Sequence, residues 1–224
     1  MTDLAAAPPR ATVATLKPQF DDREQQNSAG NLGMWVFLAT EVMFFGGLFT
    51  GYTVYRALYL PGFEIGSRLL DVRWGATNTA VLIASSLAMA LAIRAAQLGR
   101  RKMQVTYLIV TMLLGTTFLG IKFLLEWASE YHRHLMPGFG FQYPGPHASS
   151  VEMFFCFYFF MTGVHALHMI IGMGILSVLA VMSLRGKFTP EYYAPIEAIG
   201  LYWHFVDIVW IFLFPLLYLI GGRY

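Results

Sequence analysis

The chain is poor in cysteine and in charge, and each scarcity closes off a class of protein. Cys156 is the only cysteine among 224 residues, so no intrachain disulfide can staple the fold. Charged side chains make up 12% of the sequence, about half the ~25% usual in soluble domains. No run of Lys and Arg stands out and the formal net charge is only +2, which excludes the electrostatic footprint of a nucleic-acid binder. No segment repeats another, so the inverted repeats of many transporters are unsupported. The first thirty residues, "MTDLAAAPPRATVATLKPQFDDREQQNSAG", lack the apolar core of a cleavable signal peptide. Residues 1–30 are therefore expected to form a retained, polar, disordered tail.

What the chain has in quantity is apolar length. Hydrophobic residues reach 57%, with 19 Phe, 12 Tyr and five Trp, a load suited to lipid-facing and interfacial positions. A helix needs about 20 apolar residues to cross a hydrocarbon core of roughly 30 Å. Five stretches are long enough: about 32–57, 76–98, 104–128, 151–184 and 197–221. The sequence thus predicts an all-α integral membrane bundle of five transmembrane helices over residues 31–224. The fourth stretch is long enough to tilt or to project beyond the bilayer. Nine Lys and Arg fall on the side of the tail, including the "GRRK" loop, and five on the other; Lys122 lies within a span. The positive-inside rule then puts the N-terminus in the cytoplasm and the C-terminus outside.

Polar residues inside such spans are costly, roughly 2.5–3.5 kcal/mol each for charged groups at mid-bilayer on insertion scales. Glu41 sits near the middle of the first span with no charged residue within a turn. Such a carboxyl is either functional or a neutral group hydrogen-bonded across a helix interface that Gly46, Gly47 and Gly51 would let close up. The last span places Glu197, Gly200, His204, Asp207 and Ile211 on one stripe, with Trp203 and Trp210 on a neighbouring one. His204 and Asp207 read as a mutually satisfied structural pair, with a proton relay or a partner-docking site as the functional alternative. His165 and His168 stand at i, i+3 on the fourth span and could begin a metal or haem site. No Glu-x-x-His, Cys-x-x-Cys-His or second His pair accompanies them, so structural hydrogen bonds are the expectation. His132, His134 and His147 fall in an outer loop without the further ligands that zinc or copper needs. Lys122, Glu126 and Glu130 read as an interfacial ion-pair ladder with Lys122 snorkelling. Asn78 could hydrogen-bond between helices.

Taken together these motifs resemble subunit III of the haem–copper respiratory oxidases. "FLATEVMFFGGLF" is similar to the family's span with a membrane-embedded Glu, and "TNTAVLIASS" to the start of the next. "EWASEY" resembles the end of the span after that, and "GVHALHMIIG" the family's His-x-x-His helix. "EAIGLYWHFVDIVWIFLFPLLYL" resembles its C-terminal signature. The resemblance runs in order from about Asn31 to Leu219, each motif on the right span.

The resemblance implies a helical subunit of a bacterial inner-membrane terminal oxidase, with haem and copper in partner subunits and no cofactor or metal held by this chain. It implies packing on subunit I, membership with subunit II of the complex or of a larger supercomplex, bound phospholipid, and support of proton uptake and enzyme durability. Glu41 matches the embedded carboxyl; Phe37 and Arg185, the latter in "SLRGKF", match lipid contacts. Longer members have seven spans, and this chain lacks the first two, which form one wall of the lipid cleft. Two alternatives stay open: an accessory subunit of a nitric-oxide reductase, and an independent proton or solute transporter relaying through Glu41, His165, His204 and Asp207.

Overall fold

The computed structural model describes residues 19–138, 140–190 and 192–221. Five helices long and apolar enough to cross a membrane occur among them. The first, α1, runs Arg23–Leu58, started by Asp22, whose side chain accepts from the Gln25 backbone N–H. The expected tail is therefore shorter than the sequence implied: residues 23–30 are the opening turns of α1, because Asp22 supplies an N-cap and nothing after it breaks the helix. Residues 1–18 lie outside the described part.

A short helix, α2 (Leu60–Leu69), follows where the sequence suggested only a connection. Pro61 stands in its first turn, where the missing N–H costs nothing, and the helix buries Gly62, Phe63, Gly66 and Ser67. The second span, α3 (Val72–Gln97), ends at Gly99, which takes a positive φ of 67° to turn the chain. The third is continuous from Arg101 to His132, as α4 (Arg101–Gly120), a π-helical stretch (Ile121–Trp127) and α5 (Ala128–His132). Then come α6 (Ala148–Leu184) and α7 (Ala194–Phe214), the latter continued by a second π-helical turn, Pro215–Leu219. The 37 residues of α6 span about 55 Å at 1.5 Å each, well beyond the hydrocarbon core.

Helix α7 is the centre of the bundle, packed against α1, α3 and α6, while α3 also packs on α4 and α4 on α6. Burial follows that order: 44% of the most apolar window of the last span is inside the protein, against 11% for α1. Lipid is as apolar as a leucine side chain, so close packing rather than water exclusion holds such helices together. Small residues permit it. Gly172 of α6 and Gly115 of α4 both lie against the Trp203 ring, and Gly200 of α7 against Ile93 of α3. Each tryptophan of the α7 stripe also donates to α3: Trp203 to the Ser85 hydroxyl and Trp210 to that of Thr79, both at 3.1 Å. Helix α1, by contrast, is joined to the rest by few polar contacts. Near its C-terminal end the Tyr52 hydroxyl donates to the Leu216 carbonyl at 3.0 Å and Arg56 to that of Ile220 at 3.2 Å.

Candidate functional site

Glu41 of α1 is not isolated. Its Oε2 lies 3.2 Å from Nε2 of His168 on α6, with both side chains largely buried. The other ring nitrogen, Nδ1, is 2.8 Å from the Val164 carbonyl. A carbonyl can only accept, so Nδ1 carries a hydrogen. The contact to Glu41 then has two forms: imidazolium donating to carboxylate, or a protonated carboxyl donating to neutral imidazole. Either way one proton is held between two side chains on two helices. Tyr202 of α7 donates to the His168 carbonyl at 2.9 Å, and the Phe45 ring packs 5.3 Å from the imidazole. Phe37, one turn before Glu41, is partly exposed with its ring 6.0 Å from that of Tyr202. Exposed apolar side chains of α1, Trp35, Val42 and Met43 among them, leave this side of the bundle facing outward.

His165 does not share that site. One i, i+3 step around α6 carries its ring into the core, 5.5 Å from the Phe118 ring and 5.2 Å from Trp210, and neither nitrogen finds a partner among the described residues. His168 has both nitrogens engaged, so the two histidines do not converge on a common ligand. No cluster of three or more His, Cys, Asp or Glu placed to hold a metal occurs among the described residues. Of the four residues of the relay alternative, only His204 and Asp207 share a cavity; Glu41 pairs with His168, and His165 has no hydrogen-bond partner among the described residues.

The His204–Asp207 pair also differs from expectation. His204 Nδ1 lies 2.7 Å from the Ser86 hydroxyl of α3, and no bond joins it to Asp207. Asp207 is 3% exposed, and neither carboxyl oxygen has a hydrogen-bond partner among the described residues. The Ser86 hydroxyl that meets His204 also faces that carboxyl, beyond hydrogen-bond distance. His204 bonds across to α3 instead of along α7 to Asp207. Glu197 is exposed in the first turn of α7, where a carboxylate suits the positive end of the helix dipole. Arg185 is exposed at the end of α6 beside Gly186 and Lys187.

Lys122 departs furthest from the sequence reading. It does not snorkel; it is fully buried, and its ammonium meets three acceptors: Glu126 Oε2 at 2.7 Å, Tyr218 at 2.7 Å and Tyr158 at 3.0 Å. Tyr158 donates to the same carboxylate oxygen at 3.1 Å, Tyr218 donates to it as well, and Asn78 reaches the other oxygen at 3.4 Å. Every ammonium hydrogen is thereby used. The π-helical stretch widens the turn that carries Lys122 and Glu126, and the turn after Pro215 brings Tyr218 in from the far end of the chain. An i, i+4 Lys–Glu pair is visible in the sequence; the tyrosines that bury it, 36 and 96 residues away, are not. Ser86 was missed for a similar reason, although the serine pair in "LIASS" is a polar mark on an apolar span.

These motifs, in this order on five spans, have counterparts among known proteins. A family model described as cytochrome c oxidase subunit III matches residues 19–222. The cytochrome bo(3) ubiquinol oxidase subunit 3 of Pseudomonas aeruginosa is 30% identical over 204 residues, covering 90% of this chain and 91% of that protein. The cytochrome c oxidase subunit 3 of Phoca vitulina is 34% identical over 198 residues, 85% of this chain and 69% of its own length. That of Dasypus novemcinctus is 33% identical over the same shares. The chain is a multi-pass membrane protein and belongs to the cytochrome c oxidase subunit III family.

Proposed function

We propose that this chain is the non-catalytic subunit III of a bacterial haem–copper terminal oxidase, with its N-terminus in the cytoplasm and its C-terminus outside the inner membrane. It packs on subunit I, where haem and copper reside and oxygen is reduced, and supports proton uptake there. The Glu41–His168 contact carries this reading. It is a proton-holding pair at membrane depth on two helices, next to the outward face of α1. Phe37 and Arg185 are assigned to phospholipid, an aromatic ring for acyl chains and a cation for a headgroup phosphate. The wall of the lipid cleft that longer relatives build from two further spans comes here from another chain of the complex.

The test of the pair is kinetic. Proton uptake by the assembled oxidase is measured for Glu41→Ala, His168→Ala and the double variant. If the two side chains act through one shared proton, the double variant is no slower than either single one. Losses that multiply would show two independent roles and sink the assignment.

A further inference from the structure

The notch between α3 and α7 holds a buried carboxyl with neither oxygen partnered among the described residues. It encloses about 280 Å³ and is lined by Leu82, Ile83 and Ser86 of α3 and His204, Asp207, Ile208 and Ile211 of α7. Its rim opens toward the membrane, since Ile83, Ile208 and Ile211 are each about half exposed. Its floor is polar. The Asp207 carboxyl is 3% exposed with both oxygens unpartnered, and His204 offers the ring edge not bonded to Ser86.

Depth limits what can complete it. His204 and Asp207 stand at the middle of the 26-residue stretch Ala194–Leu219, so headgroups are about 15 Å away on either side. A lipid there offers only acyl chain, which cannot donate a hydrogen bond, and a buried polar group without a partner costs roughly 1–3 kcal/mol in protein mutational data. The neighbouring face of α7 points at α1 through Phe205 and Phe212, whose rings lie 6.1 Å from Phe45 and 6.4 Å from Phe49. The notch is therefore a lateral opening in an apolar wall, wide enough for a side chain, with the Asp207 carboxyl, the His204 ring and the Ser86 hydroxyl behind it.

We infer that Asp207, His204 and Ser86 form a docking socket for a transmembrane helix of the neighbouring catalytic subunit, which inserts a hydrogen-bond-donating side chain between α3 and α7. The carboxyl supplies the acceptor and the three isoleucines the apolar collar. This inference rests on the proposed role as an oxidase subunit and locates where the partner engages. The His–Asp stripe then fixes register between subunits as well as, through His204 and Ser86, between α7 and α3.

The test uses the whole complex in its membrane. A photo-crosslinking p-benzoylphenylalanine is installed in place of Ile208 on the notch rim and irradiated before extraction. A covalent adduct with the haem-bearing subunit is expected; adducts confined to lipid, while the chain still co-purifies with that subunit, would overturn the socket and leave the subunit role intact. In parallel, the tagged chain carrying Asp207→Leu or Asp207→Asn is washed with increasing detergent. Asp207→Leu should retain about three- to tenfold less catalytic subunit, and Asp207→Asn, which still accepts, should retain most of it. Wild-type retention by Asp207→Leu would overturn the socket. If the unaltered chain brings down no haem-bearing polypeptide at all, the subunit role fails and the socket with it.

Discussion

Lys122 and Glu126, one helical turn apart on the π-helical stretch, form an ion pair at 2.7 Å whose side chains are only 1% and 4% exposed. A buried pair of this kind stabilises little compared with apolar side chains of the same volume, but breaking it is expensive because the remaining charge is stranded. Here Tyr158, Tyr218 and Asn78 take up the remaining valences, which ties α3, α6 and the C-terminal π-turn to one carboxylate.

Removing one member should therefore cost more than removing both. Lys122→Met or Glu126→Leu alone is expected to destabilise the chain by about 3–5 kcal/mol, and the double variant by clearly less than their sum. Thermal denaturation of the purified complex, followed by the chain's retention in it, reads this out. Additive losses would mean that the two charges do not depend on each other.

The coupling of Glu41 to His168 is smaller. A double-mutant cycle on stability should return about 0.5–2 kcal/mol, the range for interhelical hydrogen bonds in membranes. A value near zero would show the 3.2 Å contact to be incidental.

Close approach makes some glycines irreplaceable and others tolerant. A Cβ at Gly62 would run into Ser150, including its backbone carbonyl carbon at 2.9 Å, so Gly62→Ala should loosen α2 from α6 at a cost of about 1–3 kcal/mol. At Gly200 the obstacle is the far end of the Ile93 side chain, which can turn away. Gly200→Ala should thus be the milder of the two in a heat-stability comparison. The reverse order would place the tight interface elsewhere.

If Arg185 holds a lipid phosphate, Arg185→Ala should reduce the phospholipid that stays with the purified complex while subunit composition is unchanged. Phosphorus analysis after extensive washing in a fixed detergent decides it, and an unaltered lipid content would remove Arg185 from the assignment.

The spans were legible because hydrocarbon thickness imposes a length that composition alone reveals; the exception is the start of α1, at Arg23 instead of about residue 32, where a polar first turn carries no apolar signal. Helix α2 was not: ten residues with a proline and a glycine in the first turn look like a loop until α6, longer than the bilayer needs, offers a surface to pack on. Side-chain partners were legible only where they are local. His168 to Val164 is an i−4 bond within one helix, whereas Glu41 looked solitary because its partner is 127 residues away. Spacing correctly put His204 and Asp207 on one stripe but could not say that Ser86, from another helix, would compete for the imidazole. Lys122 was misplaced because the helix continues to His132, past the expected end, and its ammonium has nearer acceptors than water.

The measurement that bears most directly on the subunit assignment is mild-detergent affinity purification of the tagged chain, followed by a dithionite-reduced optical spectrum and mass spectrometry of the co-purifying polypeptides. A reduced-haem spectrum together with a large haem–copper subunit is expected, and the identity of that subunit separates an oxidase from a nitric-oxide reductase. A colourless chain that survives gentle extraction alone would contradict the assignment.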